Sequence, residues 1–381
     1  MTTRADRFAT GRVITALALA GFAVAAIGSG LDRASAGDRG WSELIPVPFR
    51  SRADAVAANA ALARQDADAV IDYAAKAVRS APLDADAIAL LATGYAIAGR
   101  DDDADAAFRA AAGMGWRNPL TQFYWIEESF AAGRPDLAAA RADALLRGDP
   151  SRQDAGAILA QFETGEDRQA ALAERLAERP NWRIEFLSPG DLPPESLSAR
   201  AAVLASDAIG AEPLGCGAVE RLASAVAMRV GPVQAEAILG RHCPGAESLN
   251  GLRDSQFASL DTPNRESPLG WQRVESGSVS ASRSMRGGST AIALTNYTPT
   301  PRPVLRQAVW LEPGEVSFSW AVVEGRKDRF AVSLDCGKPA RPVVRTQAEP
   351  VPVPPCAMQH ISLWVWPGDG PVVVSGLSLE T

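Results

Sequence analysis

Two histidines and four cysteines carry the strongest chemistry of this sequence, and they form no known catalytic pattern. The histidines are His242 and His360, and the cysteines fall into an upstream pair, Cys216 and Cys243, and a downstream pair, Cys336 and Cys356. His242 and Cys243 could hold a metal together with Cys216, but the CxxC or HxxxH spacing of a zinc site is absent. We therefore predict the disulfides Cys216–Cys243 and Cys336–Cys356, and no metal.

An acidic run in the N-terminal half invites comparison with a calcium-binding loop. Its members are Asp101, Asp102, Asp103 and Asp105. A calcium loop needs Gly at position six and Glu at position twelve, where this sequence has Ala106 and Ala112. We interpret the run as the first turn of a helix, whose positive end favours carboxylates.

No nucleophile elbow, phosphate loop or dinucleotide-binding motif lies in a strand-turn-helix setting. A glycosidase needs two facing carboxylates, and no motif singles out a pair among the acids of the C-terminal part. We therefore predict no catalytic residue and no cofactor. An enzyme of unrecognised type is kept as an alternative.

An aromatic set near the C-terminus suggests sugar binding. In the predicted strand 358–366, Ile361, Leu363 and Val365 alternate with His360, Ser362, Trp364 and Trp366. In strand 304–311, Leu305, Val309 and Leu311 oppose Arg306 and Trp310. Neighbouring strand residues point to opposite faces, so the aliphatic sets should face the core. We predict a glycan-binding face of Trp310, Trp364 and Trp366, with Arg306 and His360 as hydrogen-bond donors. Alternatively, a second layer, a loop or the helical part covers these tryptophans.

The charge balance argues against nucleic acid as a partner. Residues 266–381 hold 11 Lys/Arg and 10 Asp/Glu, about +1, so the total of −7 leaves −8 for residues 1–265. Neither part has the basic surface of a nucleic-acid binder.

The N-terminus has the pattern of an export signal. Three arginines precede an uncharged apolar run, residues 13–31, which at about 1.5 Å per residue spans roughly 28 Å. The run is long enough for an inner-membrane anchor, whereas the cleavage-like Ala34-Ser35-Ala36 favours a removed signal peptide. Either way, residues 37–381 are predicted to lie in the periplasm.

A 34-residue period organises the helical part. Pro82, Trp116 and Pro150 are spaced by 34 residues, as are Gln65, Gly99 and Gly133. Over residues 51–150 the pattern resembles tetratricopeptide repeats, whose motif is matched by Ala92, Tyr95, Gly99, Ala104, Phe108 and Ala111. Helices continue to Arg241, broken by prolines. We predict an α-solenoid.

The period changes to two after residue 267, where nine short candidate strands predict an antiparallel β-sandwich, a jelly roll. The predicted organisation is a signal peptide or membrane anchor (1–36), a repeat domain (37–243), a linker (244–266) and a β-sandwich domain (267–381). The fold class is thus multidomain, an α-solenoid followed by an all-β domain.

A second resemblance concerns the whole chain. Trp271, Gln307, Val309, Leu311, Pro313-Gly314, Phe318, Phe330, Cys336 and Cys356 form a pattern similar to the carbohydrate-binding-module-like domain that ends certain tetratricopeptide proteins of bacterial exopolysaccharide clusters. The resemblance implies a non-catalytic periplasmic adaptor in polysaccharide assembly or export, with envelope proteins as partners and polysaccharide as a further ligand. A stand-alone carbohydrate-binding protein is the main alternative.

Overall fold

The computed structural model describes residues 4–35, 45–209, 214–261, 268–274, 277–286, 288–337 and 349–380, without the side chains of residues 4–12 and 261. The chain divides into two compact units, Met1–Asp149 and Pro150–Thr381. The first unit is helical in its described part, and the second combines helices with two antiparallel sheets. The prediction of a helical part followed by antiparallel sheets is confirmed. The helices after residue 150, expected in the domain 37–243, lie in the same unit as the sheets.

The first unit begins with helix α1, Arg4–Ala34. Its segment Val13–Ala34 has 22 residues and contains an 18-residue stretch with a mean hydropathy of 2.0, and large side chains such as Leu17 and Phe22 are exposed. Within the described ranges it is the one helix long and apolar enough to cross a membrane. A signal sequence and an anchor both have this character.

The last turn of α1 contacts the start of α2, Ser51–Leu62. The Asp32 carboxylate accepts hydrogen bonds from the backbone N–H groups of Arg52 (3.1 Å) and Ala53 (3.0 Å). Arg50, which precedes α2, makes no side-chain cap. Asp32 therefore satisfies amides that would otherwise be left open at the start of α2.

Six helices of the first unit follow α1 as pairs joined by short turns. The pairs are α2 with α3 (Ala67–Ser80), α4 (Ala85–Ile97) with α5 (Asp101–Gly113), and α6 (Pro119–Ala131) with α7 (Pro135–Gly148). Asp66, Asp84 and Asn118 accept hydrogen bonds from first-turn amides of α3, α4 and α6. The acidic run Asp101–Asp103 forms the first turn of α5, as predicted.

The turn within each helix pair repeats at the predicted spacing of 34 residues. Gln65, Gly99 and Gly133 all have left-handed backbones, with φ of 56°, 70° and 68°. The residue after each turn donates a backbone hydrogen bond to a carbonyl five residues earlier, as in Asp66 to Ala61, Arg100 to Tyr95 and Arg134 to Ser129. This bonding closes a helix end in the same way three times.

Small residues allow the helices of the first unit to approach closely. Ala92, Ala104 and Ala111 are buried, and Phe108 is 4% exposed. A Cβ atom added to Gly94 of α4 would lie 2.9 Å from a Val70 side-chain carbon of α3. Alanine and glycine therefore determine the distance between these helices.

The second unit starts with six described α-helices, in agreement with the prediction that helices continue to Arg241. They are α8 (Ala155–Ala160), α9 (Glu166–Ala177), α10 (Arg183–Phe186), α11 (Pro194–Ala205), α12 (Cys216–Arg229) and α13 (Pro232–His242). A buried ion pair joins Arg200 of α11 to Glu163 at 3.0 Å, and Arg200 also donates to the Phe186 carbonyl at 2.7 Å. The short α10 was not predicted.

Nine strands form two antiparallel sheets. They are β1 (Gln272–Arg273), β2 (Val279–Arg286), β3 (Ser289–Asn296), β4 (Arg302–Val309), β5 (Glu315–Glu324), β6 (Phe330–Asp335), β7 (Val351–Pro352), β8 (Gln359–Val365) and β9 (Val372–Glu380). One sheet has the order β1-β4-β8-β6 and the other β2-β3-β9-β5-β7. Eight strands match predicted ones, and β7 was not predicted. The ninth of the strands predicted from the sequence, residues 343–346, lies outside the described residues.

Residues 244–261, expected to begin the linker, pack against the sheets. Phe257 and Leu260 belong to the same buried core as the strands. The backbone N–H of Arg253 donates to the Gln307 side chain, which donates back to the Arg253 carbonyl, both at 2.9 Å. The indole of Trp271 donates to the Asp254 carbonyl at 3.1 Å. This stretch is therefore part of the folded unit.

Both predicted disulfides are present. Cys216 pairs with Cys243 across α12 and the end of α13, with Cα atoms 4.9 Å apart. Cys336 and Cys356, whose Cα atoms are 5.8 Å apart, close a segment of the sheet region. Disulfides persist in oxidising compartments, which agrees with export of this part of the chain.

Candidate binding site on the four-stranded sheet

The site lies on the face of the four-stranded sheet that points away from the shared core. Ile361, Leu363 and Val365 of β8, together with the alternate aliphatic residues of β4 and β6, face the core, as predicted for β4 and β8. The intervening residues therefore share the outer face. Several polar side chains on this face, such as Ser333, Asp335 and Ser362, are buried and not exposed to solvent.

Strand register brings five of these side chains into two neighbouring rows. Arg306 of β4 is opposite Ser362 of β8, which is opposite Ser333 of β6. In the next row His360 of β8 is opposite Asp335 of β6. Adjacent strands are about 4.8 Å apart, so these groups lie within side-chain reach of one another.

An ion pair crosses the central strand of this group. Arg306 Nη2 lies 3.2 Å from Asp335 Oδ1, although β8 separates the two strands. The Arg306 side chain therefore extends over β8, above its polar residues. Asp335 Oδ1 also accepts a hydrogen bond from the Gly337 backbone N–H at 2.9 Å. The carboxylate is held from two sides through this one oxygen.

Four polar atoms of the cluster have no hydrogen-bond partner within the described part of the chain. They are Arg306 Nε, Asp335 Oδ2, His360 Nδ1 and Ser362 Oγ, and each is buried. Folded proteins pair almost all buried polar atoms, because an unpaired one costs about 1 to 3 kcal/mol. These four atoms include both hydrogen-bond donors and hydrogen-bond acceptors. Such a set suits a ligand with hydroxyl groups, which can donate and accept at the same time.

The surroundings of His360 favour the neutral form of its imidazole. Burial, followed by the positive charge of Arg306, lowers the pKa of His360 below its ordinary value, and the Asp335 carboxylate opposes this shift. A neutral imidazole has one donor and one acceptor nitrogen. His360 can therefore accept from a ligand hydroxyl as well as donate to one, whereas the sequence suggested only donation.

The three tryptophans of the predicted glycan-binding face differ in exposure. Trp364 is only 7% exposed, and its indole donates to Ser333 Oγ at 2.8 Å. Trp310 and Trp366 are partly exposed. The backbone of Trp310 pairs with the segment 249–251 through its N–H and its carbonyl. Trp364 is thus a covered residue in this structure, and Trp310 and Trp366 are the indoles with accessible surface.

Two arrangements that hydrolases use, a serine bonded to its base and a pair of facing carboxylates, are absent from the described part of this cluster. Ser362 Oγ makes no hydrogen bond to His360 in the described structure, so a nucleophile and its base are not joined. Asp335 is the single carboxylate placed in these rows by the register, and it is paired with Arg306. Glycoside hydrolysis requires two carboxyl groups across the scissile bond.

The alternative metal site near His242 is occupied by other interactions. Cys216 and Cys243 are joined to each other, so neither offers a thiolate, although Glu220 lies 3.2 Å from the Cys216 sulfur. His242 is 1% exposed, with Nε2 at 2.8 Å from the Leu204 carbonyl. It is a core histidine bonded to backbone.

Sequence reasoning missed Ser333, Ser362 and Asp335 as members of the site. Alternation placed Ser362 on the same face as His360 and Trp364, but Ser362 was not predicted as a binding residue. Ser333 and Asp335 lie on β6, whose pairing with β8 no local pattern reveals. The repeat residues Ala92, Tyr95, Gly99, Ala104, Phe108 and Ala111 lie in the other unit, where Tyr95 stacks under the Arg100 guanidinium at 4.3 Å.

Comparisons with known proteins found no match for this chain. No protein-family model matches the chain, and no curated protein or solved structure matches it significantly.

Proposed function

We propose that this protein is a non-catalytic, periplasm-facing adaptor of cell-envelope polysaccharide assembly or export. In this proposal the tetratricopeptide-like pairs form a solenoid that holds an envelope protein partner. The C-terminal sheets form a jelly-roll sandwich that contacts glycan. The inner membrane holds the chain through residues 13–31 if the signal is not cleaved.

The observation that carries the glycan-binding role is the group of unpartnered polar atoms of Arg306, Asp335, His360 and Ser362. Sugars present several hydroxyl groups at short spacing, which match alternating donors and acceptors. Partly exposed indoles at Trp310 and Trp366 lie on the same parity as the cluster. The repeated helix pairs of the first unit support the adaptor role, because stacked repeats provide long surfaces for protein partners.

Glycan binding is tested at Ser362, whose hydroxyl has no hydrogen-bond partner among the described residues. Ser362→Ala removes a hydroxyl without a described partner, so folding should be unaffected or slightly improved. Binding to glycans on an array, with the full chain in mild detergent, should weaken by about twofold to tenfold, the equivalent of one hydrogen bond. The control is Ser282→Ala, an exposed serine of β2 in the other sheet, which should bind like the wild type.

Wild-type protein that binds no glycan would remove the glycan-binding role, as would equal binding by Ser362→Ala and wild type. Equal melting temperatures for the three proteins ensure that a loss of binding is not a loss of folding.

The adaptor role is tested by capture of partners from membranes solubilised in mild detergent. Polysaccharide export or polymerisation proteins should co-purify with the wild-type chain. Retention of glycan without any protein partner would instead favour a stand-alone carbohydrate-binding protein. Release of shortened glycan from the bound fraction would favour an enzyme.

A further inference from the structure

Arg141 of α7 is a cation without an anionic partner in the first unit. No carboxylate of the described chain forms an ion pair with it, whereas Arg134, which precedes α7, and Arg147 of α7 pair with Asp136 and Asp143 respectively. Burial lowers the pKa of Arg141 below its ordinary value, and no nearby charge is found to compensate. A partly buried, uncompensated guanidinium costs free energy unless an anion joins it.

Two indoles flank this guanidinium. The Trp116 ring lies 3.7 Å from the Arg141 guanidinium carbon and the Trp125 ring 5.6 Å from it. Trp116 is 43% exposed, so this side of the group lies at the protein surface. Stacking on indole faces fixes the plane of the guanidinium and leaves its N–H edge for a ligand.

Further hydrogen-bond donors around Arg141 are also unused. Gln122 is fully buried, and its Oε1 faces Arg141 Nη1 at 3.5 Å. Gln122 Nε2, Trp125 Nε1 and Arg141 Nε are buried and have no partner in the described structure. Gln122 and Trp125 are three residues apart on α6 and therefore lie on one helix face. All three unpartnered atoms are hydrogen-bond donors, whereas the cluster on the four-stranded sheet contains both donors and acceptors.

We infer that Arg141, Gln122 and Trp125, with Trp116 over the guanidinium, form a binding site for a carboxylate group of a polypeptide partner. A single cation with neutral N–H donors matches the single charge and two oxygens of a carboxylate. Both indoles turn a ring face to Arg141 itself, so stacking on a sugar ring is less favoured here than a peptide carboxylate. The inference deepens the proposed adaptor function and rests on it for the class of partner.

The test detects ligand binding at this site by NMR spectroscopy of the full chain in detergent micelles. Indole N–H groups are labelled with ¹⁵N, and the Trp125 resonance is assigned as the one lost in Trp125→Phe. The probes are acetate, a blocked tripeptide Ala-Glu-Ala, its Ala-Gln-Ala analogue, and glucuronate. We expect a saturable shift of the Trp125 resonance with acetate and with the Glu peptide, and none with the Gln peptide.

Variants separate the site from general charge effects. Arg141→Gln should weaken binding of the Glu peptide by at least about tenfold, as loss of a charged hydrogen bond does. Arg141→Lys keeps the charge and is the control for a folding defect caused by loss of the charge. It should weaken binding less than Arg141→Gln does. Arg134→Gln, an exposed arginine of the same helix pair, should bind like the wild type.

Absence of a saturable shift with acetate and the Glu peptide in the folded wild type would overturn the inference. Binding of glucuronate without binding of the Glu peptide would overturn it as well, because the class of partner would be wrong. The titration uses no captured protein, so its failure is distinct from failure of the membrane capture that tests the adaptor role.

Discussion

Gln65 holds the same left-handed backbone conformation as Gly99, which lies 34 residues later at the equivalent turn. The φ angles are 56° and 70°, and both residues close a helix with the same hydrogen bonds. Only glycine adopts this conformation without the steric cost of a Cβ atom. The first helix pair therefore carries strain that the second pair lacks.

Replacing Gln65 with glycine should relieve this strain. Gln65→Gly is expected to raise the free energy of unfolding of the first unit by about 1 kcal/mol, since the left-handed conformation costs a side-chain-bearing residue about that much. Urea unfolding followed by circular dichroism measures the change. Gly99→Gln is the reciprocal variant, and it should destabilise by a similar amount. A Cβ atom added to Gly99 has no described atom within 4 Å, so the expected loss comes from the backbone conformation and not from a steric clash with a neighbour. Destabilisation by Gln65→Gly would contradict the assignment of strain.

Overpacking at Ala104 should disturb the second helix pair. Ala104 is 3% exposed, and Ala104→Trp should lower the free energy of unfolding by about 1 to 3 kcal/mol or more, because a close-packed interior has no room for an indole. Ala106→Trp is the matched control on an exposed position of the same helix. The two melting temperatures should differ clearly. Equal values would mean that α5 can move away from its neighbours at little cost.

The buried ion pair of the second unit should depend strongly on its carboxylate. The Arg200 and Glu163 side chains are 3% and 9% exposed, so Glu163→Gln leaves a buried guanidinium without its counter-charge. We expect a loss of about 3 to 5 kcal/mol in unfolding free energy. Glu324→Gln breaks the exposed pair with Arg286, for which a loss below about 1 kcal/mol is expected. Similar losses in both variants would show that burial is not the cause.

Mild acid should destabilise the second unit through its histidines. Burial is the main cause that lowers the pKa of both His242 and His360, so each binds a proton less readily when folded than when unfolded. Protonation of these histidines therefore does not reduce the free energy of unfolding above the unfolded pKa of about 6.5. The free energy of unfolding falls as the pH drops from that value toward the lowered folded pKa.

The measurement is urea unfolding of wild type and His360→Gln between pH 7.5 and 5. The decrease with falling pH should be smaller in the variant, since one of the two titrating groups is gone. An identical pH dependence would mean that His360 is protonated as easily in the folded protein as in the unfolded one.

Local patterns predicted much of this fold, and long-range pairing explains what they missed. The alternation of β8 correctly placed Ile361, Leu363 and Val365 in the core, because side-chain direction in a strand depends only on parity. Alternation does not reveal which strands are neighbours. Asp335 therefore joined His360 only once the order β4-β8-β6 was known. The packing of Phe257 was missed for the same reason, since its partners lie far along the chain.

The capping of α2 by Asp32 links the fate of the N-terminal segment to the stability of the first helix pair. Cleavage after Ala36 would remove this carboxylate, and the amides of Arg52 and Ala53 would then depend on water. In an uncleaved chain the same contact would hold α2 beside the end of the apolar helix, at the membrane surface if that helix spans the bilayer. Signal processing would then determine both where the first helix pair lies in the envelope and how firmly its first helix begins.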